Sequence, residues 1–241
     1  RQNQSSMKTL GLIGGTGWLS TIDYYRIINQ TVNERMGGSC SAKLFLYSLN
    51  FAEFEKSLVE NDWKGLSAFL CSAAVKLEAA GADCIVLCAN TLHKVAEDVR
   101  KSVKIPLIHI AEATATELRK QGIRTAGLLG TKATMEQEFF KEKLSREKIG
   151  TIIPDGNERE FLHLSIFTEL GKGILTRETK ARYVRIINKL VEEGAEGIIL
   201  GCTEMPLLIK QHDCAVPVFD TTLIHARAAV NFALEEAPAV S

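Results

Sequence analysis

Apolar and polar positions fall into two patterns that take turns along the chain. Short continuous apolar runs, Leu10-Gly-Leu-Ile13, Leu44-Phe-Leu-Tyr47, Cys84-Ile-Val-Leu87 and Leu107-Ile108, are bounded by Gly, Pro, Asn or Ser and predict β-strands. Their continuity predicts parallel strands covered on both faces. Between them Trp63, Leu66, Leu70, Ala73, Ala74 and Leu77 recur at helical spacing, as do Val95 and Val99, so the crossovers are expected to be helices in βαβ units. The turn Gly14-Gly-Thr-Gly17 leads toward a helix starting near Ser20. A final helix is expected from about Thr221 to Leu234, with no strand after it, returning to cover the first half.

The second half repeats the first. Leu12-Ile-Gly14 matches Leu128-Leu-Gly130 at an offset of 116 (130 − 14), Gly81-Ala-Asp83 matches Gly194-Ala-Glu196 at 113 (194 − 81), and Ile105-Pro-Leu matches Val216-Pro-Val at 111 (216 − 105). Three landmarks in one order predict two similar α/β lobes, with loop insertions absorbing the drift. The expected bounds are 7–112 plus a C-terminal helix of about 221–241 for the first lobe, and 113–220 for the second. No Pro/Ser-rich linker separates them.

Composition narrows the partner. Lys plus Arg and Asp plus Glu both number 29, so no net field favours nucleic acid or an anionic membrane, and a small molecule is the expected ligand. Apolar runs such as Ile198-Ile-Leu200 are interrupted long before the roughly 20 residues a bilayer span needs. Arg1 to Ser6 precede Met7 without an apolar core and read as a tag or the remnant of a processed leader. The six cysteines, at 40, 71, 84, 88, 202 and 214, show no disulfide framework and point to a reducing, cytoplasmic setting. Cys84, Cys88 and His93 are close in sequence but lack a second ligand pair, so no metal is expected.

Two cysteines occupy matching places, Cys88 in Ile85-Val-Leu-Cys-Ala-Asn-Thr91 and Cys202 in Ile198-Ile-Leu-Gly-Cys-Thr-Glu204. Each follows a strand-like run, and side chains at the carboxyl ends of parallel strands face the crevice where open α/β sheets bind ligands. Each also precedes an expected helix start, one at Thr91 and one marked by Pro206, which would lower the thiol pKa toward neutrality and leave one thiolate beside one thiol. A thiol and a thiolate are the acid and base that inversion of a carbon centre needs. Asn90, Thr91, Thr131 and Thr203 are candidates to stabilise the carbanion, with Asn50 after the second strand as a further contact. The backbone of Gly15, Thr16 and Gly17, with the equivalent turn Gly130 to Thr134, is suited to a carboxylate, but its GGxG spacing is not a dinucleotide fingerprint. Glu204 either hydrogen-bonds the second thiol or favours its helix start. His93 reads as packing, His225 and Asp220 as groups able to orient others, and His109, His163 and His212 belong to no evident constellation.

The segments Leu-Cys88-Ala-Asn-Thr-Leu-His-Lys-Val95, Leu-Leu-Gly-Thr131 with Thr134-Met-Glu-Gln137, Gly201-Cys-Thr-Glu204 and Pro217-Val-Phe-Asp-Thr221 resemble the aspartate/glutamate racemases, from Met7 to about Leu234. The resemblance implies an α/β fold of two similar Rossmann-like lobes with parallel sheets, related by a pseudo-twofold axis, with the site between them. It further implies Cys88 and Cys202 as the two bases, no cofactor, an amino-acid substrate and a homodimer. Two positions differ from many such relatives. Thr16-Gly-Trp-Leu19 stands where they have Met-Ser-Trp-Glu, and Phe161 stands where they carry a lysine that meets a substrate carboxylate. Either Arg159 or Lys172 substitutes for that lysine, or Phe161 makes the pocket apolar and selects a non-acidic side chain. A decarboxylase or isomerase of small carboxylates would need only one thiol, and a binding protein neither.

Overall fold

The structure, a computed structural model, describes residues 7–235, so the expectations for residues 1–6 and 236–241 lie outside it. The first half runs β1 (Leu10–Gly14), α1 (Trp18–Met36), β2 (Leu44–Ser48), α2 (Phe51–Val59), α3 (Trp63–Ala79), β3 (Cys84–Leu87), a 3-10 turn (Thr91–Val95), α4 (Ala96–Ser102) and β4 (Leu107–Ile108). The second runs α5 (Ile110–Lys120), β5 (Thr125–Gly130), α6 (Lys132–Glu136), α7 (Glu138–Arg146), β6 (Gly150–Ile152), α8 (Gly156–Thr168), a 3-10 turn (Leu170–Lys172), α9 (Arg177–Glu192), β7 (Gly197–Gly201), α10 (Met205–Leu208), a 3-10 turn (Gln211–Asp213), β8 (Val218–Asp220) and α11 (Thr221–Leu234). The strands form two parallel sheets of the same order, β2-β1-β3-β4 and β6-β5-β7-β8.

Contacts divide the chain into two units. Among the described residues, one holds 7–88, Val95–Ile108 and 225–235, while the other holds Ala89–Lys94 and His109–Ile224. Residues 89–94 and the first turn of α11 therefore go with the second unit.

The repeated landmarks do the same physical work in each sheet. Gly81 and Gly194 end α3 and α9 with φ of 98° and 106°, values only glycine adopts without strain. The following Ala82 and Ala195 amides close back onto Leu77 and Leu190 carbonyls. The acid then starts the strand: Asp83 accepts from the Thr9 amide at 2.6 Å, and Glu196 from the Arg124 and Thr125 amides at 2.6 and 3.2 Å. The proline motif supplies the far side of each ladder, with Ile85 bonding to Pro106 O and Ile198 to Pro217 O. Even the packing glycines correspond, since a Cβ on Gly11 would press on Leu77 and Ala82, and one on Gly127 on Leu190 and Ile198.

The central strands β1, β3 and β7 are buried throughout, as their apolar continuity requires. Leu44–Ser48 departs from that expectation. β2 is an edge strand, pairing only with β1, and Phe45 and Leu46 are 40% and 44% exposed. Two local details also differ from the pattern. The α1 helix begins at Trp18, two residues early, and the segment after Cys88 opens as a 3-10 turn before α4; the chain between α6 and α7 is extended at Gln137 (ψ 154°).

His225, expected near the chemistry, instead ties α11 into the first unit. Its Nε2 lies 2.7 Å from Ile108 O and its Nδ1 2.7 Å from the Tyr24 hydroxyl. A carbonyl only accepts, so Nε2 carries the proton and Nδ1 accepts from Tyr24. Complete burial holds the imidazole neutral and lowers its pKa from 6.5 to about 4. Below pH 6.5 the unfolded chain binds a proton here that the folded chain refuses until about pH 4, so this contribution is intact above 6.5 and lost as pH falls through that window. Urea unfolding should therefore show wild type losing about 2 kcal/mol more than His225→Asn between pH 7 and pH 5.

Candidate active site

Cys88 and Cys202 each stand one residue beyond the end of a buried central strand, β3 and β7. The Cys88 amide still bonds to Ile13 O at 2.9 Å, so its position is fixed by the ladder itself. β7 is one residue longer than β3 because Gly201 extends it and pairs with Gly130. A Cβ at Gly201 would lie 2.6 Å from Leu129 O, which explains the glycine inserted before Cys202.

Both thiols are buried, Cys88 fully and Cys202 to 8% exposure. The expected lowering of their pKa does not occur. Burial pushes the Cys88 thiol up, because a thiolate there has no water to solvate it. Burial also pushes Cys202 well up, and the negative charge of Glu204 adds to it. The helix starts are too short to compete: Thr91–Val95 is a 3-10 turn and α10 is a four-residue helix, so few peptide dipoles align on either sulfur.

Around Cys202, the Glu204 carboxylate gathers the polar atoms. Its Oε2 lies 2.9 Å from the Cys202 sulfur and 2.7 Å from the Thr203 hydroxyl. Cys202 belongs to one buried apolar cluster with Leu162, Ile166, Tyr183 and Met205 among its members, and Phe161 of α8 packs against that cluster. The Phe161 ring meets Tyr183 edge-on at 6.0 Å, and the Arg182 guanidinium lies 3.7 Å above it. Arg159 is not free to substitute for a lysine, being held by Glu136 at 2.8 Å and Pro154 O at 2.6 Å. Lys172 is exposed in a 3-10 turn. Thr131 caps α6, accepting from the Thr134 amide, and His163 accepts from the neighbouring Lys132 amide at 3.3 Å.

The segment after Cys88 is fixed by a second network. Thr221 Oγ1 donates its single proton to Leu200 O at 2.9 Å, so toward Asn90 it can only accept. Asn90 therefore presents Nδ2 to Thr221, at 3.1 Å, and its buried Oδ1 has no hydrogen-bond partner among the described residues. His93 packs as expected: Nε2 accepts from the Ile110 amide, Nδ1 faces Ala89 O at 2.9 Å, and the ring lies 4.6 Å from His109. His109 caps α5 and Asp220 accepts from the first amides of α11, which are structural roles. Thr91 is half-buried at the start of the 3-10 turn.

In the glycine turn, Gly15 (φ 84°) would drive a Cβ to 2.3 Å from Leu49 O, and its amide is already committed to Thr21 Oγ1 at 2.8 Å. Gly17 starts α1 at φ 104°, and Thr16 Oγ1 is a buried hydroxyl with no partner among the described residues. Asn50 is exposed and caps α2, accepting from Ala52 N at 3.3 Å. Thr221 stands in a motif and at a helix start, but its bonds to Asn90 and Leu200 O, like the buried Ser165–Tyr183 hydroxyl pair 2.9 Å apart, leave no signal in the residue pattern. Tyr183 follows the helical apolar period of α9 and so reads as core. Among the described residues, no group of three His, Cys, Asp or Glu side chains is placed to hold a metal ion, and no helix is long and apolar enough to cross a membrane. Thr221→Val should lower unfolding stability by about 1–3 kcal/mol in urea titrations, because Leu200 O and Asn90 Nδ2 lose a buried partner, whereas Thr221→Ser should stay near wild type.

Comparison with known proteins places this geometry in context. A broad specificity amino-acid racemase of Bacillus subtilis is 21% identical over 232 residues, which is 92% of this chain and 96% of that protein. A crystal structure of a candidate Asp/Glu racemase from Yersinia pestis superposes with a TM-score of 0.91 at 49% identity, covering 95% of this chain and all of that one. An aspartate racemase homologue from Pyrococcus horikoshii OT3 gives 0.85 at 41% identity, with 95% and 100% covered. The profile described as Asp/Glu/hydantoin racemase matches residues 13–229, and the chain belongs to that family.

Proposed function

We propose that the chain is a cofactor-independent racemase that inverts the α-carbon of an amino acid, aspartate and/or glutamate, with Cys88 and Cys202 as its two bases. The observation that carries this reading is the pair of buried thiols at equivalent strand ends of two duplicated sheets. Inversion needs a proton taken from one face of Cα and another delivered to the opposite face, which one acid–base group cannot do without turning the substrate. Asn90 Oδ1 is an open acceptor suited to an α-ammonium, while Thr16, Thr91 and Thr131 offer hydroxyls for the carboxylate as charge moves onto it, the Thr203 proton being held by Glu204. Arg182, an exposed residue whose guanidinium lies over Phe161, is the candidate counter-charge for an acidic side chain. Six cysteines free of disulfides suit a reducing, cytoplasmic compartment.

The same reading includes a homodimer. Trp18, Ile22 and Tyr25, spaced four and three residues apart on α1, are 62%, 53% and 54% exposed and form an apolar stripe.

In D₂O, either enantiomer of the substrate should acquire deuterium at Cα and yield its mirror image, followed by mass spectrometry and chiral chromatography across acidic and neutral amino acids. Failure of both across the panel would overturn the racemase reading. Cys88→Ser and Cys202→Ser should each reduce turnover by about 100-fold or more; wild-type activity in either excludes the two-base mechanism. Light scattering of Ile22→Glu should show a monomer where wild type is a dimer.

A further inference from the structure

The two thiols differ in what stands two residues after them. That residue is Asn90 in one case, turned away onto Thr221, and Glu204 in the other, turned back onto the sulfur. The Cys202 sulfur and the Thr203 hydroxyl both reach the same oxygen, Glu204 Oε2, at 2.9 and 2.7 Å. Cys88 meets instead the Val86 carbonyl at 3.8 Å, a contact that cannot receive a proton. A carboxylate accepting from a thiol at this distance is positioned to take the thiol's proton outright.

We propose that Cys202 and Glu204 hold one proton in common, with Glu204 as a positioning residue that takes the thiol proton when Cys202 acts as a base and returns it when Cys202 acts as an acid. The proposal rests on the racemase reading. In one direction the Sγ–H proton moves to Glu204 Oε2 and the Cα–H proton moves to the vacated Sγ, the C–H electron pair staying on carbon. The Cys88 thiol then protonates the other face and keeps its own bonding pair as a thiolate. Glu204 begins ionised with two neutral thiols, and the step ends with Glu204 and Cys202 neutral and Cys88 ionised, so charge and protons balance. Exchange with water, one proton leaving Glu204 and one reaching Cys88, restores the starting form.

Burial explains why such sharing is useful. An isolated thiolate at Cys202 would add a second negative charge in a site that has excluded water, beside the charge of Glu204. Moving the proton within the pair leaves its total charge unchanged. The pair then titrates as a unit.

The test has a part without substrate. In the full chain carrying Cys88→Ser, the pH dependence of Cys202 alkylation by iodoacetamide, followed by peptide mass spectrometry, should shift down by one pH unit or more on adding Glu204→Gln. In the chain with Cys88 intact, Glu204→Gln should lower kcat/KM at pH 7 at least tenfold with KM little changed, and Glu204→Asp should recover part of the loss. More thiolate with less turnover is the signature of a lost proton acceptor. An unchanged alkylation midpoint overturns the shared proton, and a lowered midpoint with turnover at or above wild type overturns the acceptor role, leaving Glu204 a mere suppressing charge. Should wild type racemise nothing, the racemase reading fails and the acceptor role with it, while an unchanged alkylation midpoint still overturns the shared proton on its own.

Discussion

A thiolate is a charge, and the fold places both candidate thiols where water has been removed. That desolvation is the constraint on which the rest of the site depends. Helix N-termini, the usual remedy, are here a 3-10 turn and a four-residue helix, too short to offset the burial of Cys88 or Cys202. Local proton acceptors matter more than helix dipoles in such a setting. The Glu204 carboxylate belongs to that class; the backbone carbonyl beside Cys88 does not.

The scaffold fixes the two sulfurs by repeating one construction. A left-handed glycine ends a helix, the next amide closes that helix, and an acidic side chain receives the amide just before the neighbouring strand, β1 or β5. Strand register follows from these bonds, and the cysteine follows from register. Because each sheet is held by its own copy, the lobes can diverge at the strand ends without losing alignment below. The extra residue in β7 is such a divergence, tolerated because Gly201 has no Cβ to strike Leu129 O.

Most of this architecture could be read from residue patterns. The apolar runs located β1 to β4, and the offsets between Gly81 and Gly194 and between Ile105-Pro and Val216-Pro located the duplication, because backbone conformation at Gly and Pro is dictated locally. Exposure of β2 could not be read, since Leu44 to Tyr47 is as apolar as a central strand and only pairing order makes it an edge. The direction in which the thiol pKa values move could not be read for a related reason. Sequence shows that a helix follows a cysteine, but not how many turns it has or how deeply the sulfur is buried. The direction in which Asn90 faces was equally hidden, because it depends on Thr221, 131 positions away.

A reaction whose substrate and product are mirror images needs a base on one face of the carbon and an acid on the other, which a duplicated scaffold supplies readily. In the proposed reading each lobe supplies one comparable group, yet two identical thiols in identical surroundings have no built-in preference for which one ionises. Difference must therefore enter where it does not disturb the duplicated frame. The second residue after each cysteine satisfies that requirement: it lies beyond the strand, so its side chain is free of the ladder. At that place one lobe carries the amide Asn90, locked by a hydroxyl, and the other the carboxylate Glu204, which receives a thiol. In the proposed reading, this single difference within a repeated construction sets a thiol without a side-chain proton acceptor apart from a thiol beside a carboxylate.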